Sequence, residues 1–186
     1  MSTRSFACVV LFLAVAGCES STEPLRDPLR DLGPVPNESF TTDATGYMAR
    51  EFERPWGQPR YRFTVISRFA NRGLVPLYLG RCYPNSTKPL YSVVMADASP
   101  TESAYSGVWA CVGHDHQFLV LPGSVRVDTM EVQGPNMFDG MTHRPFGVTE
   151  GAFRLYFDVR LAPGDGAPSA PMNIRVSNAF IVRTAN

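Results

Sequence analysis

Hydrophobic residues fall first in a block and afterwards in alternation. Following Arg4, Phe6 to Ala16 is an unbroken apolar run of about eleven residues, the size of a secretory export segment and too short to span a bilayer at about 1.5 Å per residue. From Glu19 to Asn37 the chain is polar and punctuated by Pro24, Pro28, Pro34 and Pro36. It has no periodicity that could bury a face and reads as a disordered tether. Beyond it, apolar positions recur every second residue. Tyr61, Phe63, Val65, Ser67 and Phe69 alternate with Arg60, Arg62, Thr64 and Arg68, the pattern of a half-buried strand. Gly151 to Leu161 alternates most strongly, with Phe153, Leu155, Phe157, Val159 and Leu161 expected inward, and Ile174, Val176, Phe180 and Val182 predict a final strand. Weaker strands are expected at Ala44 to Phe52, Val75 to Leu79, Leu90 to Ala96, Gly107 to Val112, Gln117 to Leu121 and Ser124 to Val132. Asn71-Arg72-Gly73 and Leu121 to Ser124 supply turn chemistry, and no stretch sustains helical spacing.

Short strands at this spacing, with large aromatics inward, predict an all-β antiparallel sandwich rather than a closed barrel. Residues 1–17 are then an export signal, 18–37 a tether and 38–186 one sandwich domain, the single core that 186 residues can support. Acidic and basic residues balance at 17 each, so no one-signed field draws the chain to nucleic acid. Lys88 is the lone lysine. The abundant arginine means either planar anion recognition or a codon preference. Arg60, Arg62, Arg68, Arg154 and Arg160, expected outward, either grip an anionic glycan or lipid head group or form an ordinary solvated face.

The apolar run ends in Leu13-Ala14-Val15-Ala16-Gly17-Cys18, which resembles the bacterial lipobox. The resemblance implies cleavage before Cys18, a thioether-linked diacylglyceride and further acylation (palmitate) at that residue, and a lipid-anchored protein in the bacterial cell envelope, outside the cytoplasm. The alternative is an ordinary signal peptide that happens to contain a cysteine. With Cys8 removed and Cys18 lipidated, Cys82 and Cys111 remain as a pair in a compartment where disulfides persist. A bridge between them would close a loop of roughly 30 residues and contribute on the order of 3 to 4 kcal/mol. Two unpaired buried thiols or a metal pair are the alternatives. The succession Asn71-Arg72-Gly73, Tyr91-Ser92-Val93-Val94, Gly107-Val108-Trp109 and Leu121-Pro122-Gly123-Ser124 resembles the immunoglobulin-like sandwich of the bacterial intracellular proteinase-inhibitor family. That resemblance implies an immunoglobulin-like fold and, as one alternative, inhibition of a protease outside the membrane; the cysteine pair departs from it.

No nucleophile elbow, HExxH, phosphate loop or EF-hand spacing occurs, so no catalytic residue and no cofactor is expected. His114 and His116, two apart, could chelate zinc or copper with His143, or they could simply belong to a polar turn. Trp109 and Cys111 share a strand face, where the indole would pack on the disulfide. The connection Gln133 to Glu150 carries Met137, Phe138, Met141 and Phe146 among glycines and prolines. It is either a lid over the open end of the core or an exposed binding loop. The expected function is a non-enzymatic interaction module, held at the membrane by its lipid and binding a protein or an envelope polymer through its end loops, chiefly this one. A proteinase inhibitor or a small metal-dependent enzyme are the alternatives.

Overall fold

The computed structural model describes residues 39–97, 99, 101–106 and 116–185. Cys18, the tether, and the expected strand at Gly107 to Val112 with Trp109, Cys111 and His114 lie outside the described residues. The strands are β1 (Phe40–Thr42), β2 (Gly46–Glu53), β3 (Arg60–Ala70), β4 (Leu77–Gly80), β5 (Tyr91–Met95), β6 (Gln117–Val120), β7 (Val125–Gly134), β8 (Gly151–Phe157), β9 (Val159–Arg160) and β10 (Phe180–Ala185), with one helical turn, α1 (Met172–Arg175).

The chain folds as an all-β sandwich. In the larger sheet β3 is the hub. β7 pairs with it from Tyr61 to Ala70, while its other edge takes β1 beside Ser67 to Phe69 and β2 beside Arg60 to Arg62. The sheet continues through β2, β10, β8 and β5, and the smaller sheet runs β6, β4, β9. Alternation places Phe63, Val65 and Phe69 of β3, Met130 and Val132 of β7, and Phe153, Leu155 and Phe157 of β8 in one core, which Leu77, Leu79, Val120 and Val159 close from the smaller sheet. Phe40 stacks on Phe157 at 4.2 Å between ring centroids and meets Phe69 edge-on at 5.8 Å, so the three-residue β1 is held by its aromatic side chain as well as by its ladder.

Four expectations need correction. The sandwich is not purely antiparallel: β10 runs parallel to β2, from Ile181 beside Gly46 to Ala185 beside Arg50, because it fills the slot between β2 and β8 and is antiparallel to β8. The strand expected from Gly151 to Leu161 breaks at Asp158. There it leaves the larger sheet for the smaller one, so Phe153 to Val159 are inward as expected but Leu161 is exposed. The final strand starts only at Phe180. Ile174 falls in α1, opened by Pro171, and Ser177 then clasps β8 by donating its N–H to Leu155 O (2.9 Å) and accepting the Leu155 N–H at its hydroxyl (2.9 Å). Arg154 is not on a solvated face: it is 8% exposed, with Nη1 donating to Ser177 O at 2.9 Å and Nε to Ala96 O at 3.4 Å, and burial lowers its pKa. Cys82 is disulfide-bonded.

The two sheets are joined at the corner after β3 by Asn71, which is 1% exposed. Its Nδ2 donates to Val75 O (2.8 Å) and Val120 O (2.9 Å), and its Oδ1 accepts the Gly73 N–H (3.0 Å). Its own N–H bonds Ser124 O (3.0 Å) and its carbonyl accepts the Gly123 N–H (2.8 Å). Replacing it with alanine strands the Val75 and Val120 carbonyls, so Asn71→Ala is expected to lower the unfolding free energy by about 3 kcal/mol, read from the urea midpoint. Asn71→Asp, nearly isosteric, is expected to cost at least as much, because a carboxylate oxygen would then face those two carbonyls.

Candidate functional site

β3 spans eleven residues, or roughly 35 Å, and separates two poles. Ser39 and Asn71 lie at one, where Ala70 N–H donates to Ser39 O at 2.6 Å. At the other, Tyr61 pairs with Gly134, so the turn between β2 and β3 meets the loop that follows β7.

That turn is Pro55–Gly57, a single 3-10 turn closed by Gln58 N–H to Pro55 O at 2.9 Å. Arg54 braces it, pairing with Glu51 (2.5 and 2.9 Å) and donating to Gly57 O at 3.3 Å. Trp56 at its centre has a φ of 49°, a left-handed conformation that an aromatic residue adopts only at a cost of about 1 to 3 kcal/mol. Its indole is 62% exposed.

The loop after β7 is fastened at both roots. Arg60 donates through Nε to Pro135 O and through Nη2 to Asn136 Oδ1, each at 3.0 Å, while Nη1 pairs with Glu53 at 2.5 Å. On the return side Gly147, at φ +80°, lies so close to Ala104 that a Cβ would sit 2.6 Å from its nitrogen. Val148 bonds Ala104 and Glu102 through its backbone, and the Tyr105 hydroxyl donates to Thr149 O at 2.8 Å. Between the roots the two legs pair at Phe138 and Pro145, and Phe146 N–H donates to Met137 O at 3.0 Å. The tip is turned by Asp139, whose Oδ1 accepts the N–H groups of Met141 (3.0 Å) and Thr142 (2.5 Å). These bonds hold its carboxyl below the ordinary carboxylate range, the Thr142 amide contributing most.

This framework brings three rings together outside the core. His143, also in left-handed backbone (φ 53°), stacks on Trp56 with centroids 4.9 Å apart and planes 5° from parallel. Phe138 meets Trp56 edge-on at 5.3 Å. Met137 and Phe146 are exposed beside them, and Met141 at the tip is 93% exposed. The return leg touches the core through Val148, whereas Met137, Phe138, Met141 and Phe146 stand outside the core cluster, on a loop whose root Arg60 holds.

Met137, Phe138, Met141 and Phe146 all lie on this one excursion. The sequence reading missed Trp56; the signal available was an indole between proline and glycine, a turn position where a core residue has no place. The histidines separate into different settings. His143 belongs to the patch, His116 is half-buried before β6 with its carbonyl accepting the Arg81 N–H, and His114 lies outside the described residues. Among the described residues no three His, Cys, Asp or Glu side chains form a group that could hold a metal ion. Comparison of the chain with known proteins gives no matching family model and no matching characterised protein.

Because the Asp139 carboxyl titrates below its unfolded value, the tip bonds are intact above the ordinary carboxylate range and are lost as pH falls through the lowered folded value. Hydrogen exchange of the Met141 and Thr142 amides is expected to accelerate in Asp139→Ala at neutral pH, with amides of β3 and β7 unchanged. Equal exchange in parent and variant would show that the carboxylate does not order the tip.

Proposed function

We propose that this chain is a bacterial envelope lipoprotein, lipidated at Cys18, whose immunoglobulin-like sandwich is a non-enzymatic interaction module. It docks a protein or an envelope polymer through the Trp56 pole, chiefly the loop Gln133 to Glu150. The observation that carries this reading is the patch itself: Met137, Met141 and Phe146 stand exposed on a loop whose backbone is tied down at its roots and tip, and exposed Trp56 of the β2–β3 turn packs on Phe138 and His143 of that loop. Aromatic and methionine side chains on a preorganised support are what binding hot spots are made of, since little entropy remains to be lost on docking. Two residues in left-handed backbone meeting ring to ring is strain of the kind that a binding site retains. The apolar export segment and the small residues before Cys18 support the anchor, and a disulfide at Cys82, with Cys111 as the proposed partner, fits an oxidising compartment.

The binding reading is tested with residues 38–186 immobilised and exposed to solubilised envelope, beside a variant carrying Phe138, Met141 and Phe146→Ser, after both are shown to melt alike. A partner retained by the parent and lost by the variant is the expected result; identical retention by both would move the search away from this loop. The anchor is tested separately by labelling cells with a radioactive or alkyne-bearing fatty acid. Label is expected in the full chain and absent from Cys18→Ser, and label in neither would remove the lipoprotein assignment.

A further inference from the structure

The pole where the chain enters the sandwich is apolar too, in a different way. Leu74 is 96% exposed, and Val75 and Leu121 are exposed beside it, with Val125 and Leu161 at the margin. Asn71 makes these one surface: its carboxamide bonds Val75 O and Val120 O, and its carbonyl takes the Gly123 N–H, so the turn after β3 and the turn before β7 are locked side by side. Leu77 pairs with Val120, so the residues leading into β4 and those leaving β6, Val75 and Leu121 among them, emerge at the same end of the smaller sheet. A hollow of about 200 Å³ lies between Ser39, Asn71, Arg72, Val75, Leu161 and Ile174, at the point where residue 39 joins the fold. A leucine projecting from a rigid turn with almost its whole side chain in solvent contributes nothing to the core, and contiguous exposed aliphatic surface marks a contact with something apolar.

We propose that this pole rests on the lipid bilayer, with Leu74, Val75 and Leu121 entering the interfacial region. Three observations point to lipid as the occupant. The chain coming from Cys18 enters the fold here: Ser39, the first described residue, lines this hollow, so in the anchoring reading this pole is the one that leads to the bilayer. The exposed side chains are aliphatic, suited to acyl chains, whereas the aromatic and methionine residues that characterise protein hot spots gather at the opposite pole. Arg68 and Arg72 are exposed near the same end of β3, where guanidinium groups can lie at the level of anionic head groups.

The proposal takes from the anchoring reading only that a bilayer lies near Ser39, and its test replaces the natural anchor. Among the described residues every core side chain lies between Phe40 and Val182, so residues 38–186 are prepared alone with an N-terminal hexahistidine sequence. This domain is bound to vesicles of phosphatidylethanolamine, phosphatidylglycerol and a nickel-chelating lipid, with part of the acyl chains brominated. Leu74→Trp and Met141→Trp are compared with the parent, all three having been shown to melt alike. The expected result is that the emission added by Leu74→Trp shifts to the blue and is quenched severalfold by the brominated chains, while that added by Met141→Trp is unchanged. Absence of quenching at residue 74 overturns the proposal, as does stronger quenching at residue 141, which would make the Trp56 pole the membrane contact. Because the nickel lipid stands in for the acyl chains, either negative outcome leaves Cys18 lipidation to be decided by the fatty-acid label.

Discussion

A buried carboxamide needs a partner for each of its polar atoms, and Asn71 finds them in both layers of the sandwich at once. Its side chain reaches the carbonyls on either side of the corner, Val75 before β4 and Val120 at the end of β6, while its backbone bonds the Gly123–Ser124 turn that leads into β7. The connection between β3 and β4 and the connection between β6 and β7 are thereby fixed to each other. The larger sheet follows from that constraint, because β7 pairs with the whole length of β3 from the register set at Val125 and Ala70. So does the placement of the smaller sheet over the phenylalanine core. Hydrophobic burial supplies most of the drive to collapse but is non-directional; the polar atoms of one asparagine say which turn lies on which.

The alternation of β3 was legible because one of its faces meets solvent, and that of β8 because its second face carries polar or amphipathic residues, Arg154 and Tyr156, even where they are covered. Turn chemistry at Asn71 and at Leu121 to Ser124 was legible too, though not that the two turns are one structure, since that contact joins residues about fifty positions apart. The failures share a cause. Val176 and Leu161 have the right hydrophobicity and parity for strands, but whether such a residue extends a ladder depends on what its neighbours bond, and Val176 makes only an isolated bridge to Tyr156. Ser177 and the bend at Asp158 redirect the chain in ways that periodicity does not record. Arg154 reads as an outward charge and is instead enclosed by the backbone of residues 96 and 177, a burial created by distant segments. At the candidate site, length and apolar content drew attention to the loop after β7, whereas Trp56 joins it only through the pairing of β3 with β7.

The two ends of β3 therefore carry different chemistry on one rigid element. At one end Arg60 holds the root of the aromatic loop through two acceptors, Pro135 O and Asn136 Oδ1, and pairs with Glu53 of β2. At the other the chain enters beside a cluster of aliphatic side chains around Leu74. Between them the outward faces of β3 and β7 are mixed, with Arg62 and Glu131 paired at 3.7 Å and Ile66 and Val127 exposed. A molecule arranged in this way has an axis, and in the proposed setting that axis stands away from the membrane.

The short first strand acquires a mechanical meaning from that axis. Phe40 to Thr42 run from the Ser39 pole inward, antiparallel to Phe69 to Ser67 of β3. Tension between an anchor at Ser39 and a load at the Trp56 pole would act along β1, straining its ladder bonds in shear, all together, rather than peeling them one at a time. The hydrogen bond from Thr42 N–H to Asn178 Oδ1 at 2.7 Å and the stacking of Phe40 on Phe157 share that load with β10's approach and with β8. Three residues of strand can thus serve as the grip by which the whole domain is held against a pull.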